Sequence, residues 1–364
     1  MKEYKLKEGS SVLLDLIRGF SAQVVVIGHG ISFFGIFTFL HEPHFPWMQN
    51  IAVLIFFLLS GFLISYATFR KKISDHTYDF RHYFADRFSR IYTAFIPSLI
   101  FVFILDLISK SLSPLSYGYS NAFDLKSFIG NIFMFQDHSI FSFFPNSLVT
   151  SFGSARPFWT LAIEWWIYLS FGYLILVILK KNALRIPDMI ILSFFSIVPV
   201  YNLITGRGNG LTTYWLFGSI VYAVSTLDIL NGINRNIKII FVLLFSGLAL
   251  KRTYMKMDAY DTIFAFLLAI ILWLLIDIFK EINFSKMGIK LIKYNASFSY
   301  TLYLVHYSIL DFIKTHFDKT ANPYILFGIG FVTVNIISIF IGRYTELTLT
   351  KKVKHILYSK FEGK

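Results

Sequence analysis

Long apolar runs separated by short polar segments dominate the chain. A helix needs about 20 apolar residues to cross the hydrocarbon core of a bilayer. This pattern predicts an all-α, polytopic integral membrane protein with about ten transmembrane helices, near residues 12–38, 50–69, 90–109, 158–179, 187–204, 211–227, 237–250, 260–279, 297–314 and 323–345. Segment 125–136 is too short to span, and we expect it to be re-entrant or to lie along the interface.

The basic residues between the predicted spans indicate their orientation. Of 34 Lys and Arg residues, 23 fall in segments that are cytoplasmic if the N-terminus is inside, 9 fall on the other side and 2 lie within spans. Cytoplasmic loops of membrane proteins carry an excess of Lys and Arg. We therefore expect both termini and the 70–90 loop to be cytoplasmic, with an uncleaved first span, a transmembrane domain over 1–346 and a basic cytoplasmic tail over 347–364.

Composition narrows the class further. The 364 residues are 55% hydrophobic and 19% aromatic, and only 15% are charged, whereas a soluble domain would have roughly 25% charged residues. The net charge of +13 comes from residues between spans, so it indicates topology and membrane lipids as partners rather than nucleic acid. Cysteine is absent, which excludes disulfides and thiolate catalysis. We expect no metal site and no permanently bound cofactor.

Three ionisable residues interrupt the first span: Asp15, Arg18 and His29. Such a group costs at least ~2.5 kcal/mol near the centre of a spanning helix, so it commonly marks a functional site. Arg18 and His29 are 11 residues apart, which is almost three helical turns, so they share a face about 16 Å apart along the axis. Asp15 lies one turn before Arg18 and can pair with it. A lone His would more simply be a core residue, but an Arg aligned with it favours function.

Arg87 and Arg90 lie three residues apart at the cytoplasmic start of the third span. Two guanidiniums placed in this way suit a ligand that carries phosphate. Ordinary positive-inside topology, with anionic lipid headgroups as partners, explains the same residues.

Later spans also contain polar residues. Glu164 lies among three tryptophans of the fourth span, where its carboxylate could hydrogen-bond an imidazole or a sugar hydroxyl and the indoles could support a sugar ring. His306 is a further polar group within the ninth span. Arg343 and Glu346 stand at the cytoplasmic end of the last span, where we expect them to pair with each other.

Five stretches occur in order between residues 13 and 306: "LDLIRGFSAQVVVIGHG", "FFLLSGFLIS", "DRFSRIYTAFIP", "FWTLAIEWWIYL" and "SYTLYLVH". Together they resemble the motifs of the acyltransferase-3 family of membrane acyltransferases. The resemblance includes the first-helix Arg with ten intervening residues before a His, the SGF motif, the R-x-x-R segment and the late SY-x-x-YL-x-H motif. Thr160 stands where the family's W-S-L-x-x-E motif usually has Ser.

This resemblance implies transfer of an acyl group, acetyl in particular, from cytoplasmic acyl-CoA to a hydroxyl of an extracytoplasmic glycan. The acceptor would be a surface polysaccharide, a lipopolysaccharide or a lipid-linked precursor, and the location the bacterial cytoplasmic membrane. The family's essential Arg and His map to Arg18 and His29, and its acyl-CoA-associated arginines to Arg87 and Arg90. We predict that His29, Arg18 and Glu164 are catalytic and that Arg87, Arg90 and Arg18 bind acyl-CoA as the donor substrate.

The sequence is compatible with a second mechanism and with a second function. His29 suits a general base because an imidazole titrates near neutral pH, but a transient acyl-enzyme on His29 or on a serine such as Ser60 is an alternative. A polytopic transporter is the alternative function, since Asp15, Arg18, His29, Glu164 and His306 could form a substrate or proton path. Many transporters contain internal repeats, and no convincing repeat is present in this sequence.

Overall fold

Helices are the regular secondary structure of the residues that the structure describes. The structure is a computed structural model that describes residues 4–144, 147–181, 183–205, 210–318 and 321–361. Within these ranges there is no β-strand, which confirms the all-α prediction. The helices are α1 (Glu8–Phe34), α2 (Met48–Ser74), α3 (Phe80–Leu112), α4 (Leu125–Ile132), α5 (Phe158–Leu176), α6 (Ile186–Thr205), α7 (Leu211–Ser225), α8 (Arg235–Lys256), α9 (Thr262–Phe279), α10 (Lys286–Ala296), α11 (Ser299–Phe317), α12 (Pro323–Gly342) and α13 (Thr350–Phe361). A π-helical segment, Arg343–Leu349, connects α12 to α13.

Seven helical segments of the described residues are long and apolar enough to cross a membrane, namely α1, α2, α3, α5 with its extension to Lys180, α6, α9 and the segment from α12 to α13. A helix occupies each of the ten positions predicted from sequence, but α7, α8 and α11 fall short of the criteria, so the count of ten is not confirmed. α7 has only 15 residues, and α8 and α11 carry charged or polar residues. Segment 125–136 contains the eight-residue helix α4, which is too short to span.

The third span begins earlier than its hydropathy predicts. Asp79 caps α3, because its carboxylate accepts hydrogen bonds from the backbone N–H groups of Arg81 (3.0 Å) and His82 (3.1 Å). These bonds satisfy N–H groups that lack partners in the first helical turn. Arg87 and Arg90 therefore lie two to three turns inside a 33-residue helix rather than at its start.

The chain divides into two compact units. The first unit comprises Met1–Gly28, Phe37–His76 and Asn209–Ser297. Within it, α2 packs against α7 at two glycines: a Cβ at Gly61 would lie 1.9 Å from the Trp215 carbonyl oxygen, and a Cβ at Gly218 would lie 1.9 Å from that of Leu58. Both positions thus require glycine for the two backbones to meet. Ser60 beside this crossing accepts a hydrogen bond from Trp215 Nε1 (3.1 Å), which gives its hydroxyl a packing role.

The second unit comprises His29–Ile36, Thr77–Gly208 and Phe298–Lys364. Here α3 packs against α5, α11 and α13, and α11 packs against α12. Gly172 of α5 admits the Tyr83 ring of α3, since a Cβ would lie 2.1 Å from it, and the Tyr83 hydroxyl donates to the Tyr168 carbonyl oxygen (3.0 Å). The end of α1, α3, α5 and α11 supply the polar residues described next.

Candidate active site

Two imidazoles meet in the second unit. The ring centroids of His29 on α1 and His306 on α11 are 5.2 Å apart, and Tyr307 packs edge-on against His29 at the same distance. Gly30 allows α12 to approach this part of α1, because a Cβ there would lie 2.6 Å from the Phe327 ring. The sequence pointed to both histidines separately, and the structure brings them into contact.

The hydrogen bonds of His306 define its tautomer. Nδ1 donates to the Tyr303 carbonyl oxygen (2.7 Å) and lies 3.2 Å from that of Leu302. Carbonyl oxygens only accept, so Nδ1 carries the proton and the neutral ring has a lone pair on Nε2. His306 is 0% exposed, and its Nε2 has no hydrogen-bond partner among the described residues. This nitrogen is therefore a buried acceptor available to a ligand hydroxyl.

α11 continues this polar face in both directions. Tyr300, Tyr303, Tyr307 and Asp311 recur every three or four residues, the spacing of one helix face. Beyond the histidines, the Tyr119 hydroxyl donates to Asp311 Oδ1 (2.9 Å). Our sequence analysis missed these residues, although their regular spacing along a predicted span was a readable signal.

α5 joins this face through Thr160. Its hydroxyl donates to the Pro157 carbonyl oxygen (2.8 Å), so the 2.6 Å contact with Tyr303 has the tyrosine as donor. Thr retains the hydroxyl that the usual Ser would offer. Glu164, one turn later, accepts a hydrogen bond from Tyr168 and lies within electrostatic range of Tyr300. Neither imidazole is hydrogen-bonded to Glu164.

Arg90 forms an ion pair with a buried carboxylate. Its guanidinium lies 3.0 Å from Glu346 Oε2, and the Glu346 side chain is 0% exposed. The other carboxylate oxygen accepts hydrogen bonds from the backbone N–H (2.9 Å) and the hydroxyl (2.8 Å) of Thr301. The expected pairing of Glu346 with Arg343 is thus wrong, because the carboxylate turns inward toward α3 and α11.

Arg87 has different surroundings. Its Nε is buried without a hydrogen-bond partner, and the guanidinium forms no ion pair with any described residue. The guanidinium carbon lies 5.8 Å from the Tyr83 ring centroid. The neighbouring carboxylate of Asp86 acts on Arg87 electrostatically but pairs with Lys354 instead. The Arg87 guanidinium is therefore able to bind an anion such as phosphate.

Arg18 lies in the first unit. Its Nη2 donates to Asp15 Oδ1 at 2.8 Å, which confirms the predicted pair. Gly19 brings α1 close to the end of α10, since a Cβ there would lie 2.8 Å from the Asn295 amide. α1 is one helix from Glu8 to Phe34, so Arg18 and His29 share an element as predicted.

Each unit contains a cavity. The one in the second unit has a volume of about 240 Å³ and lies between α5, α6 and the loop before α5; it is lined by Asp137, Ser139, Trp159, Ile163, Val198, Tyr201 and Asn202. The one in the first unit, about 350 Å³, includes none of the predicted site residues. In the described part of the chain, no three His, Asp or Glu side chains are grouped to hold a metal ion.

The fold and this site define a membrane protein with buried polar groups aligned along its helices. The acyltransferase-3 family model, described as an acyltransferase domain, matches residues 12–343. The chain belongs to this family, and it is a membrane acyltransferase. No curated protein and no solved structure matches it.

Proposed function

We propose that the protein transfers an acyl group, acetyl in particular, from cytoplasmic acyl-CoA to a hydroxyl of a glycan or lipid-linked glycan across the bacterial cytoplasmic membrane. The observation that carries the proposal is Arg87, a half-buried guanidinium that forms no ion pair with a described residue and whose Nε has no hydrogen-bond partner among them. A CoA phosphate would supply an ion-pair partner. Arg90 meets α11 at Tyr300, at 5.9 Å from its ring, and His306 lies six residues further, about 9 Å along the helix.

The reaction assigns a role to each group. His29 removes the proton of the acceptor hydroxyl, and the oxygen attacks the thioester carbonyl carbon. The C–S bond then breaks, the acyl ester forms, and the CoA thiolate takes up the proton from His29. His306 Nε2 accepts a hydrogen bond that orients the reacting groups, and Glu164 supports the polar face through Tyr168. The family motif adds Arg18 as a group that orients the donor. Direct transfer and a transient acyl-enzyme are both compatible with this arrangement.

The cavity of the second unit supports a glycan acceptor. Trp159 and Tyr201 offer aromatic surface, and Asp137, Ser139 and Asn202 offer polar groups, a combination that suits a ring with several hydroxyls. On α5, Trp159 and Ile163 lie one turn apart and face the cavity. Thr160 and Glu164 follow each of them directly and belong to the polar face, so both features use the same stretch of helix. A sugar in this cavity would belong to the acceptor and lie beside the polar face, because consecutive residues of a helix are ~100° apart around its axis.

Mass analysis of surface glycans from cells with and without the protein tests the function. We expect base-labile acyl esters that disappear when the protein is absent and return when it is restored. Unchanged glycans, together with substrate uptake into proteoliposomes that requires no acyl-CoA, would instead identify a transporter.

A further inference from the structure

The C-terminal helix contacts α3 beside the two arginines. Lys354 and Tyr358 of α13 both reach Asp86 of α3: Lys354 Nζ lies 2.7 Å from Oδ1, and the Tyr358 hydroxyl donates to the same oxygen at 3.2 Å. The Thr93 and Thr350 hydroxyls, 2.7 Å apart, form a second link between the same segments. α13 is therefore fixed to the helix that carries the proposed donor site.

Asp86 also has a third partner. Its side chain is only 3% exposed, and the Tyr78 hydroxyl donates to Oδ2 at 2.9 Å. Burial and the nearby carboxylate raise the pKa of Tyr78 well above its usual range, so it remains a donor. Three donors from outside α3 thus hold one buried carboxylate, and the only cation among them is Lys354.

The neighbouring residue explains why this matters. Arg87 follows Asp86 directly and lies within electrostatic range of it, yet the two form no ion pair. A buried carboxylate that loses its cation is strongly destabilised and attracts the nearest remaining one. Without Lys354, we expect that cation to be Arg87, which is adjacent to Asp86 in the chain and interacts with it electrostatically. Glu346 holds Arg90 in a comparable way, so the chain after α12 engages charged residues on both sides of Arg87.

We propose that α13 is part of the donor site: Lys354 and Tyr358 hold Asp86 and so keep the Arg87 guanidinium available to a phosphate of the donor nucleotide. Lys354 and Tyr358 are positioning residues, and they act through Asp86. This inference rests on the proposed function for the identity of the donor. The chemistry itself requires only a phosphate, which a lipid headgroup could also supply.

Equilibrium binding of CoA to the full-length protein in nanodiscs tests the inference. Losing one charge-assisted hydrogen bond to phosphate, worth ~1.5–3 kcal/mol, corresponds to tenfold or weaker binding. We expect Lys354→Met to raise the Kd for CoA about tenfold and Asp86→Asn to restore it to within about twofold in the double variant. Lys351→Met is the matched control, because Lys351 is an exposed lysine of the same helix, and it should leave the Kd unchanged.

Each alternative has a distinct signature. Equal Kd values for Lys354→Met and the parent would refute the role of Lys354, and so would a loss that Asp86→Asn fails to restore. Tyr358→Phe, which removes one neutral donor, should weaken binding by about two- to threefold and keeps the test valid if Lys354→Met unfolds. A parent that binds no CoA would refute the proposed donor. Phosphatidylglycerol in the nanodiscs could displace CoA, whereas nanodiscs of phosphatidylcholine alone would show no displacement. That result would assign the site to lipid headgroups and overturn the inference.

Discussion

At the residue scale, two arginines that look equivalent in sequence differ in their surroundings. Arg90 has a buried carboxylate partner in Glu346, and Arg87 has none among the described residues. The R-x-x-R spacing was sufficient to place both on one helix face, but it could not reveal which one is paired. That difference depends on Glu346 and Lys354, which are far away along the chain and meet α3 only after folding.

We expect Arg87→Ala to change mainly the KM for acyl-CoA and Arg90→Ala to change mainly the thermal stability. Removing Arg87 should raise the KM for acyl-CoA tenfold or more, because a phosphate contact of ~1.5–3 kcal/mol is lost. It should change thermal stability little, because no ion pair with a described residue is broken. Removing Arg90 should lower stability by leaving the Glu346 carboxylate buried and unpaired. KM values and melting temperatures of the purified variants measure both effects.

The control for this comparison is Glu346→Gln in the Arg90→Ala background, which should recover part of the stability by removing the stranded charge. If Arg87→Ala inserts stably and keeps the parent's KM for acyl-CoA, Arg87 is a headgroup or topology residue, and the donor proposal loses its main support.

The histidine pair gives a second prediction at this scale. General-base catalysis contributes about 10²–10⁴-fold, so His29→Ala should reduce transfer by that factor with little effect on stability. At position 306, Asn retains a donor near the Nδ1 position and Gln retains a polar group near Nε2. If Nε2 orients the reacting groups, His306→Gln should preserve more activity than His306→Asn.

Activity must be expressed per folded molecule. His316→Asn is the matched control, because His316 lies on α11, as His306 does, but is not part of the histidine pair. Its ring contacts the hydroxyls of Ser109 (3.0 Å) and Ser113 (3.3 Å). A His29→Ala protein as active as the parent would show that His29 is a core residue, and the proposed base would be wrong.

At the element scale, hydropathy located the helices but not all of their ends. α3 begins ten residues before the predicted span, because the run that precedes the apolar segment is polar and capped by Asp79. The N-cap residue was readable in the sequence, whereas the burial of Arg87 was not, since it depends on α5 and on Tyr83. The polar face of α11 was likewise visible as a spacing, but its contacts with α1 and α5 required the tertiary structure.

The loop that leads into α5 carries a buried histidine, and this gives an acid-dependent prediction. His138 is 1% exposed, its Nδ1 accepts from the Ile140 N–H (3.2 Å), and it packs against the rings of Phe135, Phe141 and Trp166. Burial lowers its pKa to about 4, against about 6.5 in an unfolded chain.

Because the folded pKa is the lower one, the unfolded loop binds the proton more readily between these values. The stabilisation is complete above pH ~6.5 and falls by about 1.4 kcal/mol per unit as the pH drops toward 4. We expect the loop's resistance to proteolysis to decline from pH 7 to pH 5 in the parent and to change less in His138→Asn, which keeps an acceptor for Ile140. Identical declines in the two proteins would assign the acid sensitivity to other groups.

At the scale of the whole molecule, the number of crossings determines where the termini lie. Among the described residues, seven segments meet the criteria of length and apolarity. An odd number of crossings places the two termini on opposite sides of the membrane. Ten crossings place them on the same side. The three helices in question are all packed into the protein: α7 against α2, α8 against α9, and α11 against α3 and α12.

Several of their charged and polar residues pair within the same unit, which reconciles a low hydropathy with a membrane position. In α8, Lys238 lies 2.5 Å from Asp277 and Arg252 lies 2.7 Å from Asp261. In α11, the Tyr303 hydroxyl hydrogen-bonds to Thr160, and His306 Nδ1 hydrogen-bonds to the backbone carbonyl oxygen of Tyr303. Ionisable residues inside membranes usually pair in this way and face protein rather than lipid. A hydropathy window averages over such residues and ignores their partners.

We therefore expect all ten helices to cross and both termini to be cytoplasmic, in agreement with the 23 of 34 basic residues assigned to that side. Two reporters test this topology: one is active only in the cytoplasm and the other only outside. Fusions of both at the N-terminus, after residue 364 and in the 75–79 connection should report the cytoplasm. Fusions at 113–119 and 257–259 should report the outside, and the latter is the sharper test because the basic residues of 251–256 oppose it. A reporter after residue 364 that is active outside would favour an odd number of crossings, and acyl-CoA could then no longer reach α13 and Arg87 from the cytoplasm.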